Sequence, residues 1–93
     1  MTTIINTGKV LVDFWAPWCG PCQMLGPIIE EVEKEMGDKI KVQKVNVDED
    51  QELASQYNVS SIPAVFIFVD GQVKETIVGL RQKQDYIDAL NRY

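Results

Sequence analysis

The chain has 93 residues, 45% of them hydrophobic, with 14 acidic against 9 basic side chains and a formal net charge of −5. A chain this short buries one modest core, so a single domain over residues 1–93 is expected. Nucleic acid is excluded as a ligand class, because phosphate binding needs clustered Lys and Arg and those here are scattered, and no apolar run approaches a membrane span.

The opening "MTTIINTGK" lacks the charged-then-apolar layout of a secretory signal, which makes the cytoplasm the expected compartment. Met1–Thr7 is open between a fragment of edge strand, the last turn of a helix and disorder. "KVLVDFW" (Lys9–Trp15) is a β-branched-rich run suited to a strand covered on both faces. After "APWCG" a helical pattern places Met24, Leu25, Ile28, Ile29, Val32 and Met36 on one side and a run of charges on the other, with Gly37 as a stop signal. Pro27 lies inside this helix, and continued apolar periodicity predicts a kink rather than an end. "KIKVQKVNV" (Lys39–Val47) alternates as a strand should, and "DEDQELASQYN" reads as a short helix with carboxylates in its first turn. A hairpin follows, Ala64–Val69 and Gln72–Val78 joined by Asp70-Gly71. A last helix, roughly Gln82 to Asn91, carries Tyr86, Ile87 and Leu90 on one face, and its start has no strong capping residue. This order predicts an α/β fold: a mixed central sheet of four main strands with helices on both faces.

The only two cysteines, Cys19 and Cys22, fall in "WCGPC". A closed zinc site wants four nitrogen or sulfur ligands, and the chain has two thiols and no histidine, so a metal would need a second chain. A structural staple is unusual in the cytoplasm. Two inert buried thiols are a further possibility. Position favours redox chemistry over all three. The pair lies at the turn from the carboxyl end of a strand into a helix, the crevice where open α/β sheets bind ligands. Cys19 is expected at the helix N-terminus, where orphan amides favour its thiolate and lower its pKa below about 8.5. Pro21 fits the first turn, where a missing N–H costs nothing. Cys22, one turn on, should point to the core and stay protonated until needed.

"VDFWAPWCGPC" (Val12–Cys22) resembles the active-site segment of the thioredoxins, and C-x-x-C beside a βαβ pattern is an established signal of that family. "NVSSIPAVFIF" (Asn58–Phe68) is similar to the loop and strand around the family's cis-proline, and "VNVDED", "DGQV" and "VGL" fall at matching spacings. The likeness runs from Lys9 to the C-terminus. It implies a thioredoxin-like fold lacking most of the usual N-terminal strand and helix, with Lys39–Val47 left as a sheet edge unless Thr3–Asn6 supplies a stub. Ala64 and Gln23 depart from the family's common threonine and basic residue, and neither touches the reacting atoms.

Asp13 interrupts a central strand on the face of Leu11 and Trp15. Burial there would raise its pKa towards neutrality and let it exchange protons. The resemblance makes it the proton acceptor and donor for Cys22. Lys44 shares a strand face with Ile40 and Val42, and it reads equally as a snorkelling surface lysine or a core-directed one. The resemblance favours a lysine that tunes Asp13. It also implies a cis Ile62-Pro63 bond facing the cysteines, with Trp18, Ile62, Pro63 and Gly79 forming the surface that receives a substrate peptide.

The resulting expectation is a protein-disulfide reductase in which Cys19 attacks and Cys22 resolves. Gly20 and Pro21 between them modulate the dithiol towards reduction. Disulfide-containing proteins are the implied substrates and a thioredoxin reductase the implied recycling partner. The dithiol is the electron carrier, so no organic cofactor or metal is expected, and the protein is expected to act as a monomer. An oxidase or isomerase of the same fold and a non-catalytic binding module are the alternatives.

Overall fold

The computed structural model describes residues 2–93. In chain order it contains β1 (Lys9–Trp15), α1 (Gly20–Met36), a 3-10 turn (Gly37–Lys39), β2 (Lys41–Asn46), α2 (Gln51–Gln56), β3 (Ala64–Val69), β4 (Gln72–Val78) and α3 (Lys83–Asn91). The strands form one sheet in the order β2-β1-β3-β4. β1 pairs in parallel with β2, as a βα-β connection requires, and antiparallel with β3, while β3 and β4 form the hairpin. Asp70 and Gly71 both have positive φ, 51° and 85°, which matches the turn to the right-handed twist of its strands.

Five consecutive buried residues, Val10–Phe14, show that both faces of β1 are covered. On one face Leu11, Val65 and Ile67 pack against Leu25, Ile29 and Val32 of α1 and Tyr86, Ile87 and Leu90 of α3. On the other, Val10, Val12, Phe14, Phe66 and Phe68 meet Val45 and the α2 residues Leu53 and Ala54. Each large apolar side chain buried in this way contributes about 1.5–3 kcal/mol. Tyr57 closes the second face, its ring tilted near edge-on to Phe66 and Phe68 with centroids 5.8 and 5.5 Å away. The expected mixed sheet with helices on both faces is therefore present.

α1 runs through Pro27 to Met36 without a break, and the Gly37 N–H closes it on the Glu33 carbonyl. Pro27 sits on the exposed side of the helix, where the carbonyl it leaves unpaired can reach water. The weakly marked start of α3 has a cap after all. Asp85, three residues past Gln82, accepts the Gln82 backbone N–H at 3.1 Å, the reciprocal half of a capping box.

The N-terminal segment differs from either structured expectation. Residues 2–6 form neither strand nor helix, and Met1 lies outside the described residues. α2 is only six residues long and cannot cover its whole face of the sheet, so Ile4 and Ile5 pack on the remainder. Contacts far apart in sequence fix the segment. Gln43 accepts from the Ile5 N–H at 3.1 Å and donates to the Thr3 carbonyl at 2.6 Å. Asp50 accepts from the Thr2 N–H at 2.6 Å, a bond that holds its carboxyl below the usual carboxylate range. At the far end the Gly8 N–H reaches Asp70 Oδ1 at 2.8 Å. β2 is an edge of the sheet among the described residues. Lys39, Lys41 and Lys44 are all exposed there, which discourages edge-to-edge pairing.

Candidate active site

β1 delivers the chain to its carboxyl end, and Ala16–Trp18 turn it into α1, the turn closed by Cys19 N–H donating to the Ala16 carbonyl at 3.2 Å. Cys19 is the N-cap of α1, with extended backbone at φ −90° and ψ 110°, and Pro21 occupies the first turn. The Cys22 backbone N–H points at Cys19 Sγ from 3.2 Å. The helix therefore aims a donor, and the positive end of its dipole, at that sulfur and not at the other. The two cysteines form a disulfide, with Cα atoms 5.2 Å apart, and each side chain is only 5% exposed. They pack with Ala16, Trp15, Val47 and Ile62. A Cβ at Gly20 would meet nothing within 4 Å, so no contact among the described residues demands glycine between the cysteines.

The Ile62-Pro63 bond is cis. Cys19 Sγ lies 3.8 Å from the Ile62 carbonyl oxygen, a contact rather than a hydrogen bond because a disulfide sulfur has no proton to donate. Beyond it, Gly79 adopts φ 92°, which a side chain would strain, and its N–H donates to the Pro63 carbonyl at 2.8 Å. Trp18 is 70% exposed, with its indole N–H held by Asp48 at 2.9 Å. Val78 and Leu80 flank Gly79 and are also exposed. The buried disulfide is thus rimmed by accessible apolar surface.

Asp13 is 3% exposed, and its Oδ1 has no hydrogen-bond partner among the described residues. Burial pushes its pKa up to about 6, with Lys44 pulling in the opposite direction. Asp13 shares the sheet face on which Leu11 meets Leu25 of α1. α1 runs back along β1 from that strand's carboxyl end. Stepping from Leu11 to Asp13 therefore moves towards the first turn of α1 and the buried Cys22.

The structure brings Trp18, Cys19, Cys22, Ile62, Pro63 and Gly79 to one end of the sheet, with Asp13 beneath. Lys44 is a partial exception. It is registered beside Asp13 across β1 and β2, but its side chain is exposed, so the core-directed placement is corrected. An edge strand lets the long stem carry its ammonium to water, and the charge acts on Asp13 from there. Two further residues escaped the sequence reading. Asp48 was visible only as part of "VNVDED", and its bond to Trp18 spans 30 positions. Tyr86 read only as an apolar face residue of the last helix, yet its hydroxyl contacts the Gly79–Arg81 segment.

The thioredoxin family model matches residues 2–92. The chain belongs to the thioredoxin family. A thioredoxin of Bacillus subtilis is 51% identical over 88 residues, covering 95% of this chain and 85% of the relative. One from Rickettsia bellii is 54% identical over 82 residues, 88% of this chain and 78% of that one. Among solved structures, a mutant thioredoxin from Halobacterium salinarum superposes with a TM-score of 0.88 at 41% identity, covering 95% of this chain and 76% of the other. Like these thioredoxins, the chain is a thiol–disulfide oxidoreductase with a redox-active cysteine pair, a protein-disulfide reductase by activity. No helix among the described residues is long and apolar enough to cross a membrane.

Proposed function

We propose that Cys19 is the attacking thiol, Cys22 the resolving thiol, and Asp13 the group that takes the Cys22 proton. The observation that carries this assignment is the N-cap position of Cys19, with the Cys22 N–H aimed at its sulfur. In the reduced protein that donor and the helix dipole stabilise negative charge on Cys19 and leave Cys22 a thiol.

The Cys19 thiolate attacks one sulfur of a substrate disulfide, forming a Cys19–substrate disulfide and expelling the first substrate thiolate. Asp13, ionised at neutral pH but titrating near it, accepts the Cys22 proton. Cys22 then attacks Cys19 Sγ, the mixed disulfide breaks, and the second substrate thiolate leaves. Two electrons have passed to the substrate, and the Cys19–Cys22 disulfide is the oxidised product.

Protein disulfides are the substrates this surface fits. The Ile62 backbone beside Cys19 pairs with an extended peptide as a strand would, and Trp18, Val78 and Leu80 receive its apolar side chains. Gly20, exposed and uncrowded, lets a partner approach the sulfur. Lys44 moderates the rise of the Asp13 pKa through its charge. A thioredoxin reductase restores the dithiol in the cytoplasm, the protein acting as a single chain with no metal or organic cofactor.

A Cys22→Ser variant tests the order of events. Mixed with a model protein disulfide, it is expected to accumulate a stable covalent adduct through Cys19, seen by intact-mass and peptide-mass analysis. Absence of any adduct, while the wild type turns over the same substrate, would refute the assignment.

A further inference from the structure

We propose that Tyr86 is a positioning residue for protein-disulfide substrates: its buried hydroxyl pins the Gly79–Arg81 segment as one wall of the groove beside Cys19. This rests on the reading that protein disulfides dock on the Ile62–Pro63 face.

Tyr86 is among the largest fully buried side chains, and its ring sits in the core between the sheet, α1 and α3. The ring alone would serve packing. A phenolic oxygen taken into the core needs a polar partner, and here the partners are backbone groups of one short segment. The Arg81 N–H donates to the Tyr86 oxygen at 3.2 Å, and the Tyr86 hydroxyl faces the Gly79 carbonyl at 3.4 Å. The two residues bracket Leu80, whose exposed side chain stands on the rim of the site.

The same segment is tied to the sulfur from its other end. Gly79 N–H donates to the Pro63 carbonyl at 2.8 Å, and the neighbouring Ile62 carbonyl oxygen lies 3.8 Å from Cys19 Sγ. A contiguous path therefore leads from the core of α3, through one hydroxyl, to the backbone that a substrate peptide meets. Residues 79–81 lie between the end of β4 and the Gln82 cap of α3, outside both the sheet and the helix ladder. Within the segment, the Arg81 guanidinium donates back to the Val78 carbonyl at 3.2 Å and tightens the turn. Burial, opposed by the Arg81 N–H and reinforced by the Asp13 charge, raises the Tyr86 pKa, so the hydroxyl keeps its proton through the neutral range. Tyr86 is fully buried, so it reaches a substrate only through the backbone of the Gly79–Arg81 segment that its hydroxyl holds. Its effect is to hold Leu80 and the Gly79 backbone in place before the peptide arrives, which lowers the ordering cost of binding.

Tyr86→Phe removes the hydroxyl and keeps the ring. With insulin as the protein disulfide, KM is expected to rise roughly threefold to tenfold at unchanged kcat, since both hydroxyl contacts, with Arg81 and with Gly79, are lost. Reduction of oxidised glutathione, which has little flanking peptide to dock, should stay at the wild-type rate. Urea unfolding of the same variant reports any stability loss separately. An unaltered KM for insulin overturns the proposal even if stability falls, and so does an equal loss with both disulfides. Cys19→Ser serves as the control for the underlying reading: if it reduces insulin as well as the wild type does, that reading fails and this inference with it.

Discussion

Cys19→Ser is expected to reduce protein-disulfide turnover to the uncatalysed background, a loss of roughly 10³-fold or more, as for removal of other nucleophiles that act as part of a unit. The physical reason is the identity of the attacking species. A thiolate is populated near neutral pH when a helix N-terminus lowers its pKa, whereas a hydroxyl in the same place stays protonated. The Cys22 N–H that points at the Cys19 sulfur would point at the serine oxygen instead, so the fold has little reason to change. Insulin reduction followed by turbidity, with circular dichroism to check the fold, measures the loss. Cys22 alone should not substitute. It is as buried as Cys19 but lies within the helix and receives no N-cap donor.

Asp13→Asn is expected to make the oxidised protein more stable at pH 7.5 while slowing its catalysis. The folded protein binds the Asp13 proton with a pKa of about 6, against an ordinary value of 3.8. Between those two pH values the native state holds more protons than the unfolded chain, so stability falls as pH rises through that window. Two units at about 1.4 kcal/mol each set a ceiling of about 3 kcal/mol on the cost of the buried charge at neutral pH. The amide removes the charge but brings its own unpaired donors, which lowers the expected gain to about 2 kcal/mol. Urea unfolding should show the difference between variant and wild type shrinking as pH falls from about 6 towards 3.8, and largely gone below that, where the wild-type carboxyl is protonated in both states. Decay of a preformed mixed disulfide should slow by roughly 10²-fold, the scale of a positioned general base, while formation of that disulfide is unaffected. A variant no more stable than wild type at pH 7.5 would show that Asp13 is not carrying a buried charge.

The parts legible in the sequence were those written in local pattern. A continuous β-branched run marked Lys9–Trp15, the 3.6 period marked α1, and Asp70-Gly71 marked the turn of the hairpin formed by Ala64–Val69 and Gln72–Val78, all as found. Cys19 could be put at a helix N-terminus because Pro21 and the apolar run after it fix where α1 begins. What escaped depended on contacts distant in the chain. Gln43 and Asp50 look like ordinary polar residues until Ile5 and Thr2 arrive from 38 and 48 positions away to use them. Lys44 shares an alternation pattern with Val42, but at a sheet edge alternation does not decide burial for a side chain long enough to reach water. The α3 cap was missed because Gln82 is a weak N-cap type, although Asp85 three residues later was the available signal. Tyr86 lies on the buried face that the period of α3 predicts. Its hydroxyl partners follow from the path of the Gly79–Arg81 segment, which no periodicity encodes.

Inequality of the two cysteines is the central claim, and competitive alkylation of the reduced protein tests it most directly. The dithiol form is treated with a limiting amount of iodoacetamide across a pH series, and peptide masses report which sulfur is modified. Cys19 should be alkylated first and far faster, with an apparent pKa below the ordinary thiol value of about 8.5, and Cys22 should react only slowly. Equal rates at the two sulfurs, or faster modification of Cys22, would contradict it.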